Sequence, residues 1–162
     1  MKRIIVIGCP GSGKSTFARA LREKTGLPLY HLDQLFWNAD KTTVEKSVFL
    51  DRLSSVLREE AWILDGNYAS TMELRLAACD TVFFLDYPCD LCLDGVKARR
   101  GKKRDDIPWI ETEEDKEFTD FIKGFQAEQR PQIVALLQKY NEKSIHVFTD
   151  RLDADCYLKY LN

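Results

Sequence analysis

Apolar residues along this chain follow two rhythms. Short runs rich in β-branched and aromatic residues predict strands at about Arg3–Ile7, Pro28–Leu32, Ala61–Asp65, Thr81–Asp86 and Ser144–Thr149. Between them the apolar spacing lengthens to the helical period. Val44, Val48, Phe49, Leu53, Val56 and Leu57 recur at that period, and Thr42 with Glu45 reads as a capping box ahead of them. Pro88 stands where a helix can begin, and Leu91, Leu93 and Val96 carry it toward Arg99. Phe118, Phe121, Ile122 and Phe125 fall at i, i+3, i+4 and i+7 and predict one buried stripe. Pro131 opens a further helix carrying Ile133, Val134, Leu136, Leu137 and Tyr140. This alternation predicts an α/β fold with a mostly parallel sheet, and 162 residues leave room for one domain spanning the whole chain.

Directly after the first run comes Gly8-Cys9-Pro10-Gly11-Ser12-Gly13-Lys14-Ser15-Thr16, which fits the pattern G-x-x-x-x-G-K-[ST]. Such a loop curls with its backbone N–H groups inward, around phosphate oxygens. Lys14 is then placed for the β- and γ-phosphates of a nucleotide, and the Ser15 hydroxyl for Mg2+. Context supports the motif. A β-branched strand precedes it, and Phe17, Leu21 and Gly26 suit an amphipathic helix with a glycine stop, whose N-terminal dipole adds to the same site.

Charge and cysteine usage narrow the rest. A formal net charge of −2 gives no broad attraction to nucleic acid or membrane, and the apolar runs are too short to span a bilayer. Five cysteines without a secreted-scaffold spacing predict reduced thiols in a cytoplasmic protein. Cys89-Asp90-Leu91-Cys92 is a CxxC, but no second ligand pair completes a zinc site, so two incidental thiols on a helix are expected.

Three predicted strands end in carboxylates, at Asp33, Asp65 and Asp86, and the carboxyl ends of parallel strands line the ligand crevice. Trp62-Ile63-Leu64-Asp65 and Phe83-Phe84-Leu85-Asp86 both have the form of an apolar strand ending in a metal-associated Asp, and the pattern alone does not choose between them. His31 and Asp33 fall on one face if the second strand stays extended, with Trp37 in the loop beyond. Asp65-Gly66-Asn67-Tyr68 is a polar turn suited to close approach by a ligand, and Arg75 lies on the helix after it. Lys97, Arg99, Arg100, Lys102, Lys103 and Arg104 crowd a helix end. Phosphoryl transfer needs such cations aimed at the transferring group, so Arg99, Arg100 and Arg104 are expected on a flap over about residues 99–115. The acidic stretch Glu111–Asp120 is expected to balance them.

Taken in order, Gly8–Thr16, Asp65-Gly66, Asp86-Tyr87-Pro88 and Arg99-Arg100 resemble the adenylate-kinase-like P-loop kinases over nearly the whole chain. His31-Leu32-Asp33, Trp62 to Tyr68 and Phe84 to Pro88 look more closely like the bacterial group labelled DNA topology modulation proteins, or FlaR-related. The resemblance implies a P-loop three-layer α/β/α fold, a sheet of order 2-3-1-4-5 and a short arginine-rich lid. That order favours Asp65 over Asp86 as the metal-associated carboxylate. The chain departs from adenylate kinases where Asn67-Tyr68-Ala69 follows Gly66 in place of Pro-Arg, leaving Arg75 as the candidate for an acceptor phosphate. An arginine that packs on adenine in those kinases falls near Gly95 here.

The expected activity is an ATP- and Mg2+-dependent transfer of the γ-phosphoryl group to a small nucleoside, nucleotide or other acceptor. Lys14, Asp65, Asp33 and the flap arginines are its catalytic candidates, and Asp33, Trp37, Asn67, Tyr68 and Arg75 its acceptor site. The rival is a nucleotide-binding regulator that acts on DNA through the basic flap. Near-neutral charge and the lack of a recognition-helix pattern count against it.

Overall fold

All five expected apolar runs form strands in the structure, a computed structural model that describes residues 1–161: β1 (Arg3–Gly8), β2 (Leu29–His31), β3 (Trp62–Asp65), β4 (Thr81–Leu85) and β5 (Ser144–Phe148). Every pairing is parallel and the order is β2-β3-β1-β4-β5, so the strands sit as the 2-3-1-4-5 expectation required. Ile4, Ile5, Val6 and Ile7 are all fully buried, although successive side chains of a strand point to opposite faces. The sheet is therefore covered on both sides, which is why β1 and β4 read as unbroken apolar runs. Each such side chain contributes about 1.5–3 kcal/mol by leaving water.

Among the described residues seven helices connect the strands, α1 (Lys14–Thr25), α2 (Leu32–Phe36), α3 (Lys46–Leu57), α4 (Ala69–Ala78), α5 (Cys89–Arg99), α6 (Lys116–Glu128) and α7 (Arg130–Lys139), and an eighth, α8 (Arg151–Tyr160), follows β5. Helix α1 packs its Phe17, Ala18 and Leu21 into the core and stops at Gly26, whose left-handed backbone (φ 69°) lets its N–H reach the Arg22 carbonyl. None of the helices is long and apolar enough to cross a membrane, among the described residues.

Three local expectations are corrected. The second strand ends at His31 rather than Leu32, and the chain turns at once into α2, so Asp33 lies in a first helical turn instead of at a strand end. The capping box before α3 does not form: residues 37–44 fold back on themselves, with Trp37 bridging Thr43 and Thr42 Oγ1 bonded to Asp40. The helix begins only at Lys46, with no side-chain cap. Finally, the stripe on α6 buries Ile122 and Phe125 but leaves Phe121 exposed and Phe118 half-buried, because its first turns border the cleft described below.

Candidate functional site

A cleft of about 1270 Å³ opens at the carboxyl ends of the strands. A single small ligand typically fills about 300–1,000 Å³, so this one has room for two. Its floor is the loop from Pro10 to Thr16. Helix α1 starts at Lys14 with no side-chain cap on its first-turn N–H groups, which have no partners inside the helix. Gly13 (φ 93°) turns the chain into that helix and a Cβ there would meet nothing within 4 Å, so the space in front of these donors is open. Ser12 Oγ is buried without a partner at the same place. Unpaired donors at a helix N-terminus in an open cradle are what phosphate oxygens require.

Helix α5 holds the loop from behind. A Cβ on Gly11 would lie 2.0 Å from the Cys92 carbonyl oxygen and one on Gly95 would lie 2.0 Å from the Gly11 carbonyl oxygen, so both positions need glycine. Gly95 is thus a packing residue, and the Arg151 guanidinium comes to 3.1 Å from where its Cβ would be, bordering the cleft from α8. Cys9 and Cys92 are buried behind the loop as free thiols, and Cys89 is half-buried.

Lys14 turns its ammonium back onto the Cys9 carbonyl, 3.1 Å away. Burial pulls its pKa down, opposed by the Asp65 carboxylate. Register explains why Asp65 is there: its Cα pairs with Val6 of β1, two residues before the loop, and with His31 of β2. His31 Nδ1 bonds Asp65 Oδ2 at 2.8 Å, while Asp65 Oδ1 is buried without a partner. An orphaned carboxylate oxygen in the cleft wall, with the Ser15 hydroxyl on its floor, fits Mg2+ chemistry, in which phosphates and water supply most ligands and the protein only one or two. Asp86 is not in the cleft. Both its oxygens are engaged by Arg130 at 2.7–2.9 Å, so the structure separates the two carboxylates that the sequence pattern left equivalent.

On the β2 side, Asp33, Trp37, Lys41, Asn67 and Tyr68 line the cleft. Burial pushes the Asp33 carboxyl up, opposed by the Tyr68 hydroxyl, which donates to its Oδ1 at 2.6 Å. Burial and the Asp33 charge in turn push the Tyr68 phenol up, keeping it protonated as that donor. Asn67 is committed elsewhere as well: its amide clamps Gly8, accepting from the backbone N–H at 3.0 Å and donating to the carbonyl at 2.6 Å. Arg75 is corrected outright. It is completely buried outside the cleft, and its guanidinium donates to the carbonyls of Gly66, Asn67 and Tyr68. Burial pulls its pKa down to about 9. It braces the turn after β3 from behind and does not face a ligand.

The basic segment after α5 lies over the cleft. Arg99, Arg100 and Arg104 all line it, as expected. Two of them are already paired: Arg99 and Arg104 meet Glu111 at 2.9 and 2.7 Å, and Arg104 also binds Asp106. Sequence reasoning missed Asp106. It is 3% exposed, and Ser15 Oγ donates to its Oδ2 at 2.8 Å. Burial raises the Asp106 carboxyl, but Arg104 and Ser15 overcome this and hold it at about 2. The only hint in the sequence was an acidic pair, Asp105-Asp106, closing a basic run.

No protein-family model matches the sequence, and no curated protein matches it. Solved structures do resemble it in fold. A shikimate kinase from Bacteroides thetaiotaomicron superposes with a TM-score of 0.60 at 20% identity, over 99% of this chain and 96% of that one. A shikimate kinase from Acinetobacter baumannii, solved in complex with shikimate, gives a TM-score of 0.65 at 16% identity, over 98% and 89%.

Proposed function

We propose that the cleft is the active site of an ATP- and Mg2+-dependent phosphotransferase that moves the γ-phosphoryl group to the hydroxyl of a small acceptor. The observation that carries this reading is one open cleft lined by an unpaired phosphate cradle, a half-buried carboxylate, Asp33, and the arginine-bearing segment. The fold shared with shikimate kinases, one of them solved with its small-molecule ligand, supports it.

In this reading the first-turn N–H groups of α1 and Lys14 bind the β- and γ-phosphates, and ligand charge replaces the Cys9 carbonyl as partner of the ammonium. Ser15 and Asp65 hold Mg2+ directly or through water. Bound there, the ion would neutralise charge on the transferring phosphate. Asp33 accepts the acceptor's hydroxyl proton as that oxygen attacks phosphorus and the bond to the β-phosphate oxygen breaks, releasing ADP. Arg99, Arg100 and Arg104 supply positive charge to the transferring group and, with the segment that carries them, keep water away. Trp37 and Tyr68 form the apolar wall for the acceptor. Arg75, the one guanidinium expected to bind an acceptor phosphate, is sealed behind the turn, which removes that ground for a nucleoside monophosphate as the acceptor. The net charge of −2 weighs against the rival reading, suggested by the likeness to DNA topology modulation proteins, of a DNA-binding flap.

An ADP-release screen over nucleosides, sugars and hydroxy acids tests this reading. One acceptor is expected to raise turnover well above acceptor-free hydrolysis. Salt-sensitive DNA binding without any stimulated turnover would favour the regulator instead.

A further inference from the structure

We propose that Asp106 is a positioning residue for the metal site, aiming the Ser15 hydroxyl at Mg2+ and so tying metal binding to closure of the 100–115 segment over the nucleotide. Asp106 has this part only if the cleft takes Mg2+ with ATP, as proposed above. Its place in the fold is unusual for a metal-site carboxylate: it comes from the covering segment, not from the sheet.

The geometry is specific. A serine hydroxyl has one proton and two lone pairs, and a hard cation needs a lone pair. With its proton committed to Asp106 Oδ2 at 2.8 Å, Ser15 Oγ presents its lone pairs to the cleft. Asp106 itself is immobilised by burial and by Arg104, whose Nε donates to Oδ1 at 3.0 Å and whose Nη2 donates to Oδ2. Asp65 has a different partner, His31, and makes no hydrogen bond to Ser15. The two carboxylates therefore have separate duties, Asp65 offering a free oxygen and Asp106 fixing a ligand.

The same segment is fastened at the acceptor side. The Gln34 amide of α2 donates to the Asp105 carbonyl, next to Asp106, and Trp109 meets Trp37 edge-on with ring centroids 5.5 Å apart. A segment held at Ser15 by one residue and at α2 by its neighbours closes over both subsites together. Trp109 makes that closure visible by fluorescence.

The test is ATP binding by calorimetry, in EDTA and along an Mg2+ titration, without acceptor, for the wild type, Asp106→Asn and Asp106→Glu. Asparagine still accepts a hydrogen bond but has lost the charge. Glutamate keeps the charge one methylene too far away, which guards against a result due to misfolding of a single variant. Both variants are expected to leave ATP affinity in EDTA within about twofold of wild type, while the Mg2+ needed for half-maximal tightening rises by about ten- to a hundredfold, the usual cost of losing a group that orients a metal ligand. The emission change on closure, assigned by its loss in Trp109→Phe, is expected to move to the same higher Mg2+. Unchanged Mg2+ midpoints in both variants, or an equal loss of affinity with and without metal, would overturn the proposal and leave Asp106 a structural residue. Failure of the wild type to bind ATP under either condition is a different result: it would remove the active-site reading itself, and the role of Asp106 with it.

Discussion

His31 Nδ1 and Asp65 Oδ2 lie 2.8 Å apart, both side chains buried, on Cα partners of adjacent parallel strands. The contact orients Asp65: one oxygen is tied to the imidazole, and the other is left free in the cleft wall. Removing the imidazole leaves a buried carboxylate short of a partner, which costs about 1–3 kcal/mol. His31→Leu is accordingly expected to lower the free energy of urea unfolding by roughly 2 kcal/mol and to raise the Mg2+ requirement for ATP binding. His31→Asn, whose amide can donate near the position of Nδ1, is expected to recover most of both. Equal losses in the two variants would show that ring packing matters and the hydrogen bond does not.

The two strand-end carboxylates make a paired prediction. Asp65→Asn is expected to reduce phosphoryl transfer strongly, with partial recovery at high Mg2+ or Mn2+. Asp86→Asn is expected to leave ATP affinity within about twofold, its effect confined to stability through the weakened bond to Arg130, at about 1–3 kcal/mol. A larger loss of Mg2+-dependent binding in Asp86→Asn than in Asp65→Asn would contradict the placement of the metal.

What the sequence disclosed, and what it concealed, follows from the range of the interactions. The strand–loop–helix around Gly8 to Thr16, the five strands and the sheet order were legible, because glycine spacing and apolar runs are local and the order came with the resemblance. The choice between Asp65 and Asp86 was not local at all. It depended on Arg130, which is 44 residues from Asp86 in sequence, and on register with His31. Asp106 was concealed for the same reason, since its partner Ser15 is 91 residues away and its loop has no periodicity. Arg75 was misassigned although a signal existed: Met72, Arg75 and Leu76 share one helical face, and the apolar pair marks that face as buried.

Asp33 should trade stability for chemistry. Burial raises its folded-state pKa above the ordinary value of 3.8. For a carboxyl shifted upward, the stabilising contribution is complete below the unfolded value and is lost as pH rises through the folded value, so ionised Asp33 destabilises the protein near neutral pH. Asp33→Asn can still accept from Tyr68 and is expected to be more stable than wild type at pH 7.5, with the gain vanishing near pH 3, while acceptor-dependent turnover collapses. Urea unfolding at the two pH values measures it. A variant destabilised equally at both would mean that the charge on Asp33 costs nothing.

Arg75 is expected to behave as a structural residue. Arg75→Leu strands carbonyls of Gly66, Asn67 and Tyr68 in the interior, at about 1–3 kcal/mol for each group left unsatisfied. The variant should show a large drop in Tm, with any loss of acceptor binding accompanying that loss of stability. A normal Tm with a selectively raised acceptor KM would restore the phosphate-binding role.

Phosphoryl transfer itself can be followed as label passing from γ-labelled ATP to the acceptor found in the screen, measured for the wild type, Lys14→Ala and Asp33→Asn. Labelled acceptor is expected with the wild type, loss of transfer together with ATP affinity in Lys14→Ala, and loss of transfer with ATP affinity intact in Asp33→Asn. Label appearing only as inorganic phosphate with every acceptor, or transfer undiminished in Lys14→Ala, would contradict the phosphotransferase reading.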